Sequence, residues 1–261
     1  MKWSKETSSE ESTNGSIPSR ARRRTIALAT AFGVVAVSLA VLLSPYAGAV
    51  SAAMTTQTAP FTGEVTEAVY WSYTGCGTSV DVYKNPNLDL SSGKFTTHIG
   101  VSAASCGSVN SSEFAESQAN LATYSWTASA TGSFPAYVNW TVKDKISLSA
   151  IIGTSGNQFA GSYALVGAYA EIVDTTNNTT WTVGTSSHYY GNSASPTTHT
   201  YSYPLYFEAS VPQVAGHTYT LVTGIYVEVN AFVSTGTSSA SAQVNMATSG
   251  NHAYLKGYAL P

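Results

Sequence analysis

Apolar and polar residues alternate with a period of two through most of the sequence after residue 60, and this pattern restricts the fold more than any other feature. Side chains of a β-strand point alternately to the two faces of its sheet, so the alternation predicts half-buried strands. The longest such run spans Tyr219 to Val233, with Gly224 as the expected site of a bulge or bend. In another run the predicted inward residues are Ala136, Val138, Trp140 and Val142.

Polar turn sequences separate these runs and set the predicted number of strands at roughly nine to eleven. Residues 174–180 are expected to form a hairpin loop, and residues 215–217 a tight turn. Helical periodicity is absent from the domain except for one expected helical turn at 112–119, and 85–89 is expected to be a plain turn. The fold class predicted for residues 61–261 is therefore all-β: a single antiparallel β-sandwich, jelly-roll-like or immunoglobulin-like.

The first 60 residues have a different composition, which predicts how the domain is delivered. Residues 1–24 form a basic, polar tail, residues 25–44 are apolar and uncharged, and 45–60 reads as a linker. A helix over 25–44 is about 30 Å long, enough to cross a membrane. The expected topology determinants, which keep the tail on the cytoplasmic side, are Arg20, Arg22, Arg23 and Arg24.

Two interpretations of the apolar segment stay open. Its length favours an uncleaved signal-anchor, which predicts a single-pass cell-membrane protein with the C-terminal domain outside. The small residues of 47–49 favour a signal peptide cleaved near Ala49, which predicts a secreted protein.

A basic tail, an apolar helix and a β-domain, in that order, also resemble the layout of archaeal type IV pilins and archaellins. The resemblance implies a filament subunit that assembles through its apolar helix. Strand addition at a sheet edge is a separate way in which such a domain could form filaments. Arg24-Thr25 stands where those proteins usually carry a Lys/Arg-Gly/Ala processing site, so the sequence departs from their pattern there.

The exported part carries few charges. From residue 45 onward five lysines face eleven Asp and Glu, a net charge of −6, and there is no arginine. This composition predicts that no basic patch forms, which disfavours binding to nucleic acid and to anionic lipid. It also predicts that stability depends weakly on pH, because few groups titrate.

Two covalent features are expected outside the cell. Cys76 and Cys106 are the two cysteines of the chain, and an oxidising compartment predicts a disulfide bond between them. Four asparagines begin Asn-x-Ser/Thr sequons and are candidates for glycosylation. They are Asn110, Asn139, Asn177 and Asn178.

The sequence contains no hydrolase, metalloprotease, phosphate-loop or Cys-x-x-Cys motif, and its five histidines have no metal-ligand spacing. We therefore expect no catalytic residues, no metal and no cofactor. Residues 188–203 read as a tyrosine-rich loop entering a strand, and tyrosine suits contacts with sugars or proteins. The candidate contact residues are Tyr189, Tyr190, Tyr201 and Tyr203. The alternative is that Tyr201, Tyr203 and Tyr206 simply pack the sheet and cover its edge.

These observations predict a non-enzymatic cell-surface protein, membrane-anchored or secreted, whose β-sandwich makes structural or adhesive contacts. A carbohydrate-binding module and a pilin-like filament subunit are the alternative functions. The expected partners are the membrane, through the N-terminal helix, and cell-envelope proteins or glycans, with homo-oligomers left open.

Overall fold

The computed structural model describes residues 55–107, 109–153, 158–192, 196–234 and 236–261. The predictions for the basic tail 1–24, the apolar run 25–44 and residues 45–54 lie outside these ranges. Within the described ranges, no helix is long and apolar enough to cross a membrane.

The named regular elements of the described residues are thirteen β-strands. They are β1 (Thr55–Gln57), β2 (Gly63–Thr74), β3 (Thr78–Asp89), β4 (Lys94–Ala104), β5 (Ser111–Thr123), β6 (Trp126–Thr127), β7 (Gly132–Ile151), β8 (Ala160–Asp174), β9 (Thr179–Asn192), β10 (Thr197–Gln213), β11 (Thr218–Val233), β12 (Ser239–Asn245) and β13 (His252–Leu260). This agrees with the predicted all-β class.

The strands form two antiparallel sheets, as the predicted sandwich requires. In the seven-stranded A sheet, β7 pairs with β10 on one side and with β12 and β13 on the other. Both β12 and β13 also pair with β4, so the two strands follow each other end to end in the same position of the sheet, between β4 and β7. Strand β3 pairs with β4, and β1 pairs with β13. The six-stranded B sheet runs β2-β5-β11-β8-β9, with the short β6 beside β11.

The core lies between the inner faces of the two sheets, where the alternation of the sequence places it. The predicted inward residues of β7 are fully buried, and Tyr219, Ile225 and Val229 of β11 face them from the B sheet. Polar links cross the core at two places. The Trp140 indole N–H donates to the Thr223 hydroxyl at 3.0 Å, and that hydroxyl donates to a backbone carbonyl of β8. The hydroxyls of Thr97 on β4 and Ser117 on β5 lie 2.6 Å apart. These links satisfy polar groups that would otherwise be costly to bury.

Two expected non-strand segments are strands. Residues 112–119 belong to β5, not to a helical turn, and Glu113, Ala115 and Ser117 point inward. Their small or polar character hides the period of two that the backbone follows. Residues 85–89 belong to the end of β3, where register shifts between Val82 and Asn87 absorb the irregular sequence.

The expected bulge at Gly224 is absent, because β11 keeps continuous register with β5 and β8 on both sides of it. The β13 strand bulges instead, between Leu255 and Gly257. The last part of the predicted linker, Thr55–Gln57, forms β1 and pairs with the end of β13.

Cys76 and Cys106 form the expected disulfide bond, with their Cα atoms 6.0 Å apart. It ties the β2–β3 turn to the segment after β4. In the chain-entropy account, closing a loop of this size stabilises the fold by about 3–4 kcal/mol. The Ser111 hydroxyl holds the turn further, accepting from the Cys76 N–H at 3.2 Å and donating to the Cys76 carbonyl.

Candidate functional site

The outer face of the B sheet carries seven aromatic side chains and is the strongest candidate for a binding surface. They reach this face because they occupy the outward positions of β2, β5, β8, β9 and β11. We call this surface the aromatic face. Its aromatic residues are Tyr70, Phe114, Tyr163, Tyr169, Tyr189, Tyr226 and Phe232.

Three of these rings lie across glycines of the neighbouring strand. A Cβ built on Gly161 would come within 2.3 Å of the Phe232 ring and within 3.0 Å of two more of its atoms. A Cβ built on Gly167 would come within 2.5 Å of the Tyr226 ring, and one built on Gly224 within 2.7 Å of the Tyr169 ring. Each of these rings therefore covers the backbone of the neighbouring strand at a glycine. The cross-strand pairs are Phe232 over Gly161, Tyr226 over Gly167 and Tyr169 over Gly224.

Hydrogen-bonding groups lie between the rings. The Tyr169 hydroxyl donates to the Asn120 amide oxygen at 2.9 Å, which fixes both side chains. Burial raises the pKa of Tyr169 to about 12, so its hydroxyl remains protonated at pH 7. Glu116 and Glu228 are directly opposite each other on β5 and β11. The face therefore combines ring surfaces with amide, hydroxyl and carboxylate groups.

The two edges of this face each carry an exposed tyrosine. Tyr70 on β2 is 48% exposed and lies opposite Glu116, while Tyr189 on β9 is 60% exposed. The Tyr189 ring contacts that of Tyr163, with centroids 5.4 Å apart. Of the predicted contact residues, Tyr189 is the one that belongs to this face.

The other three predicted contact tyrosines form a separate cluster. The expected loop is shorter than predicted, because residues 188–192 belong to β9 and β10 already begins at Thr197. Tyr190 lies in β9, and Tyr201 and Tyr203 lie in β10 as the predicted strand requires, all on the inward sides. The Tyr190 and Tyr201 centroids are 4.3 Å apart, and those of His188 and Tyr203 are 3.9 Å apart. These rings fill the gap between the two sheet edges. The packing alternative is therefore right for Tyr201 and Tyr203, whereas Tyr206 is exposed on the outer face of the A sheet.

Asp144 of β7 lies beneath this cluster and was not singled out from the sequence. It is fully buried, accepts a hydrogen bond from the Tyr203 hydroxyl at 3.2 Å, and its Oδ1 has no partner among the described residues. Burial raises the pKa of Asp144 to about 6, against the smaller opposing effect of that hydroxyl. The alternation predicts its position, since Val142 and Ile146 on either side point inward.

The four sequons lie in different environments. Asn110 is exposed beside the disulfide segment. Asn139 is on the outer face of the A sheet, as predicted, but it is half-buried between β10 and β13. Asn177 and Asn178 are exposed in the predicted β8–β9 hairpin turn, where Asn178 adopts a positive φ of 55°. Glycosylation of all four stays a prediction.

No group of three or more His, Cys, Asp or Glu side chains in the described ranges could hold a metal ion. His217 has a structural partner, because its Nδ1 lies 2.8 Å from Asp174 Oδ2. The Asp174 carboxylate also accepts from the backbone N–H groups of Thr176 and Asn177. This side chain therefore joins the hairpin turn to the turn before β11.

The outer face of the A sheet carries the basic residues of the β-domain. All five lysines of the β-domain lie on outward positions of β3, β4, β7 and β13. They are far apart in sequence and lie on one face of the sheet only because of the strand order. These lysines are Lys84, Lys94, Lys143, Lys145 and Lys256.

No protein-family model matches the chain, and no curated protein matches it in sequence. Among solved structures it is similar to TmCBM61 in complex with β-1,4-galactotriose, at 8% identity over 73% of this chain and 87% of the other, with a TM-score of 0.21. It is also similar to the family 11 carbohydrate-binding module of a Clostridium thermocellum cellulase, at 11% identity, 78% and 96% coverage, and a TM-score of 0.17. A tailspike protein of bacteriophage CBA120 matches at 12% identity, 68% and 19% coverage, and a TM-score of 0.16. Overlaps this weak carry no argument about this chain.

Proposed function

We propose that the chain is a non-enzymatic cell-surface protein whose β-sandwich binds extended glycans on the aromatic face. The observation that carries this proposal is the set of three rings lying across Gly161, Gly167 and Gly224. Together with the four other aromatic side chains of this face, they give the outer side of the B sheet a broad aromatic surface.

Glycans match this surface in both parts of their chemistry. A pyranose ring has a flat apolar side made of C–H groups, which packs on an aromatic ring, and a rim of hydroxyls that form hydrogen bonds. Tyrosine offers a large rigid contact surface at a low cost in conformational entropy. The Asn120 amide and the carboxylates of Glu116 and Glu228 lie among the rings, where polar groups of a binding site fix the orientation of a ligand.

The length of the face favours an extended ligand over a single sugar. Tyr169 and Phe232 are separated along the sheet by four steps of two residues, since they pair with Gly224 and Gly161. At about 6.8 Å a step the rings span on the order of 27 Å. Several sugar residues in a row fit such a surface.

The non-enzymatic character and the cell-surface location belong to the same proposal. The sequence has no hydrolase motif, and stacking on a sheet face retains a glycan without breaking a bond. Residues 1–60 supply the export or anchoring segment, and the disulfide bond suits an oxidising exterior.

The test is a binding screen of the purified full chain against neutral and acidic glycans, followed by matched tyrosine variants. Tyr189→Ala and Tyr70→Ala each remove an exposed ring from the aromatic face and should weaken binding about tenfold, as loss of a good interface anchor does. Tyr206→Ala is the matched control, because Tyr206 is 56% exposed but lies on the A sheet.

Retained affinity in Tyr206→Ala with loss in the two other variants supports the proposal. Absence of binding to every glycan, or an equal loss in all three variants, overturns it. Circular dichroism of each variant checks that the sheet structure is unchanged.

A further inference from the structure

Three of the five lysines of the A sheet surround one tyrosine. Tyr254 of β13 lies opposite Lys94 of β4, and His252, two residues earlier, lies opposite Lys143 of β7. Directly opposed residues on antiparallel strands have Cβ atoms about 4.5–5.5 Å apart. Lys256, two residues after Tyr254, places its Nζ 4.7 Å from the centre of the Tyr254 ring. The three lysines therefore flank His252 and Tyr254 in the strand pattern.

The electrostatic environment of His252 agrees with this geometry. Burial, followed by the positive charges of Lys94, Lys143 and Lys256, lowers the pKa of His252. The ring is therefore neutral at pH 7, so it retains one N–H as a hydrogen-bond donor, and its Nδ1 is buried without a partner among the described residues. Tyr254 contacts it edge-on, with centroids 4.5 Å apart.

Negative charge near these lysines is sparse. The nearest carboxylate in the strand pattern is Asp89, directly opposite Lys94. Hydrogen bonds from the hydroxyls of Ser91 and Ser92 and, to a smaller extent, the charge of Lys94 lower the pKa of Asp89. Among the described residues, none of the three lysines forms a salt bridge. Three cations gathered in a domain of net negative charge repel one another, and an anion relieves that repulsion.

A cleft lies next to this cluster. The bulge between Leu255 and Gly257 opens a cavity of about 410 Å³ on the outer face of the A sheet, and Lys256 lines it. Tyr137 and Asn139 of β7 form part of its wall, and the Oδ1 of Asn139 is buried without a partner among the described residues. The cleft can hold the remainder of a molecule whose charged group lies among the lysines.

We propose that Lys94, Lys143 and Lys256, together with His252 and Tyr254, form a binding site for a phosphate group. A tetrahedral oxyanion accepts several hydrogen bonds at once, which matches ammonium groups that approach from three strands. The site is on the opposite sheet from the aromatic face, so the two proposals stand or fall separately.

The experiment is isothermal titration calorimetry of the full chain in detergent. Inorganic phosphate is one probe, and glycerophosphoglycerol, a soluble phosphodiester headgroup, is the other. Lys143→Ala and Lys256→Ala should each weaken binding about tenfold or more, since each removes a charge-assisted contact. Lys84→Ala is the matched control: it removes the same charge from the same sheet, but Lys84 lies on the far edge strand, opposite His98.

Binding of either probe that is weakened in Lys143→Ala and Lys256→Ala but retained in Lys84→Ala supports the site. Tighter binding of inorganic phosphate points to a free phosphate as the ligand, and tighter binding of the phosphodiester points to a headgroup. No heat of binding with either probe, or equal weakening in all three variants, overturns the proposal.

Discussion

The buried carboxyl of Asp144 predicts that the β-domain is more stable in acid than at neutral pH. Its pKa of about 6 lies above the ordinary 3.8, so the folded state holds the proton more tightly than the unfolded chain does. The stabilisation is therefore complete below about pH 4 and is lost as pH rises through about 6. At about 1.4 kcal/mol for each pKa unit, the difference corresponds to about 3 kcal/mol.

Asp144→Asn isolates this effect. Asparagine has the same shape and still accepts from the Tyr203 hydroxyl, but it does not ionise. At pH 8 the variant should be more stable than the wild type by up to about 3 kcal/mol, and at pH 4 the two should be nearly equal. Urea denaturation followed by tryptophan fluorescence at pH 4, 5, 6, 7 and 8 measures both proteins.

Comparing variant and wild type at each pH removes the contributions of the other titrating groups. A difference in the free energy of unfolding that stays constant from pH 4 to pH 8 would refute the reasoning. It would mean that Asp144 keeps an ordinary pKa in the folded chain.

Two further predictions concern the glycines of the aromatic face and the N-terminal segment. Gly161→Ala should destabilise the fold by about 1–3 kcal/mol, because the new Cβ collides with the Phe232 ring. In the control Gly216→Ala the new Cβ meets no atom within 4 Å, and the only cost comes from the positive φ of 81°. Urea denaturation measures both variants, and equal losses of stability would contradict the collision account. If residues 25–44 anchor the chain, the intact mass of the protein in the membrane fraction of the native host should show a chain that begins before residue 25. A chain in the medium that begins near Val50 would favour secretion. A chain cut just before the apolar run would favour a filament subunit.

Much of the fold was predictable because it rests on local alternation. The inward set of β7 and the long β11 strand are where the period of two places them. Strand β5 was not predicted because its inward positions include Glu113 and Ser117, so the polarity of the residues did not mark the buried side of the strand. The prediction at Gly224 was wrong for a related reason. A glycine in a strand indicates a bulge, but here its missing Cβ makes room for the Asn120 amide and the Tyr169 ring.

The candidate sites were less predictable because they depend on strand order. No local pattern pairs Gly161 with Phe232, which lies 71 residues later, and only the β8–β11 register brings them together. The basic cluster is similar, since Lys94, Lys143 and Lys256 come from three separate strands. Tyr189 and Tyr190 could not be told apart from the sequence as contact residues. As neighbours in one strand they point to opposite faces, so Tyr189 belongs to the aromatic face and Tyr190 to the edge of the core.

The pairing of β1 with β13 determines how mechanical load enters the domain. Thr55 lies opposite Leu260, so the chain enters and leaves the sandwich at the same corner. Tension applied from residues before Thr55 would peel β1 away from β13 one pair at a time, across three residue pairs, instead of shearing the long strands of the sheets. A pull through the N-terminal segment would therefore separate β1 from β13 first and open the cleft beside it, before the long strands of either sheet come apart.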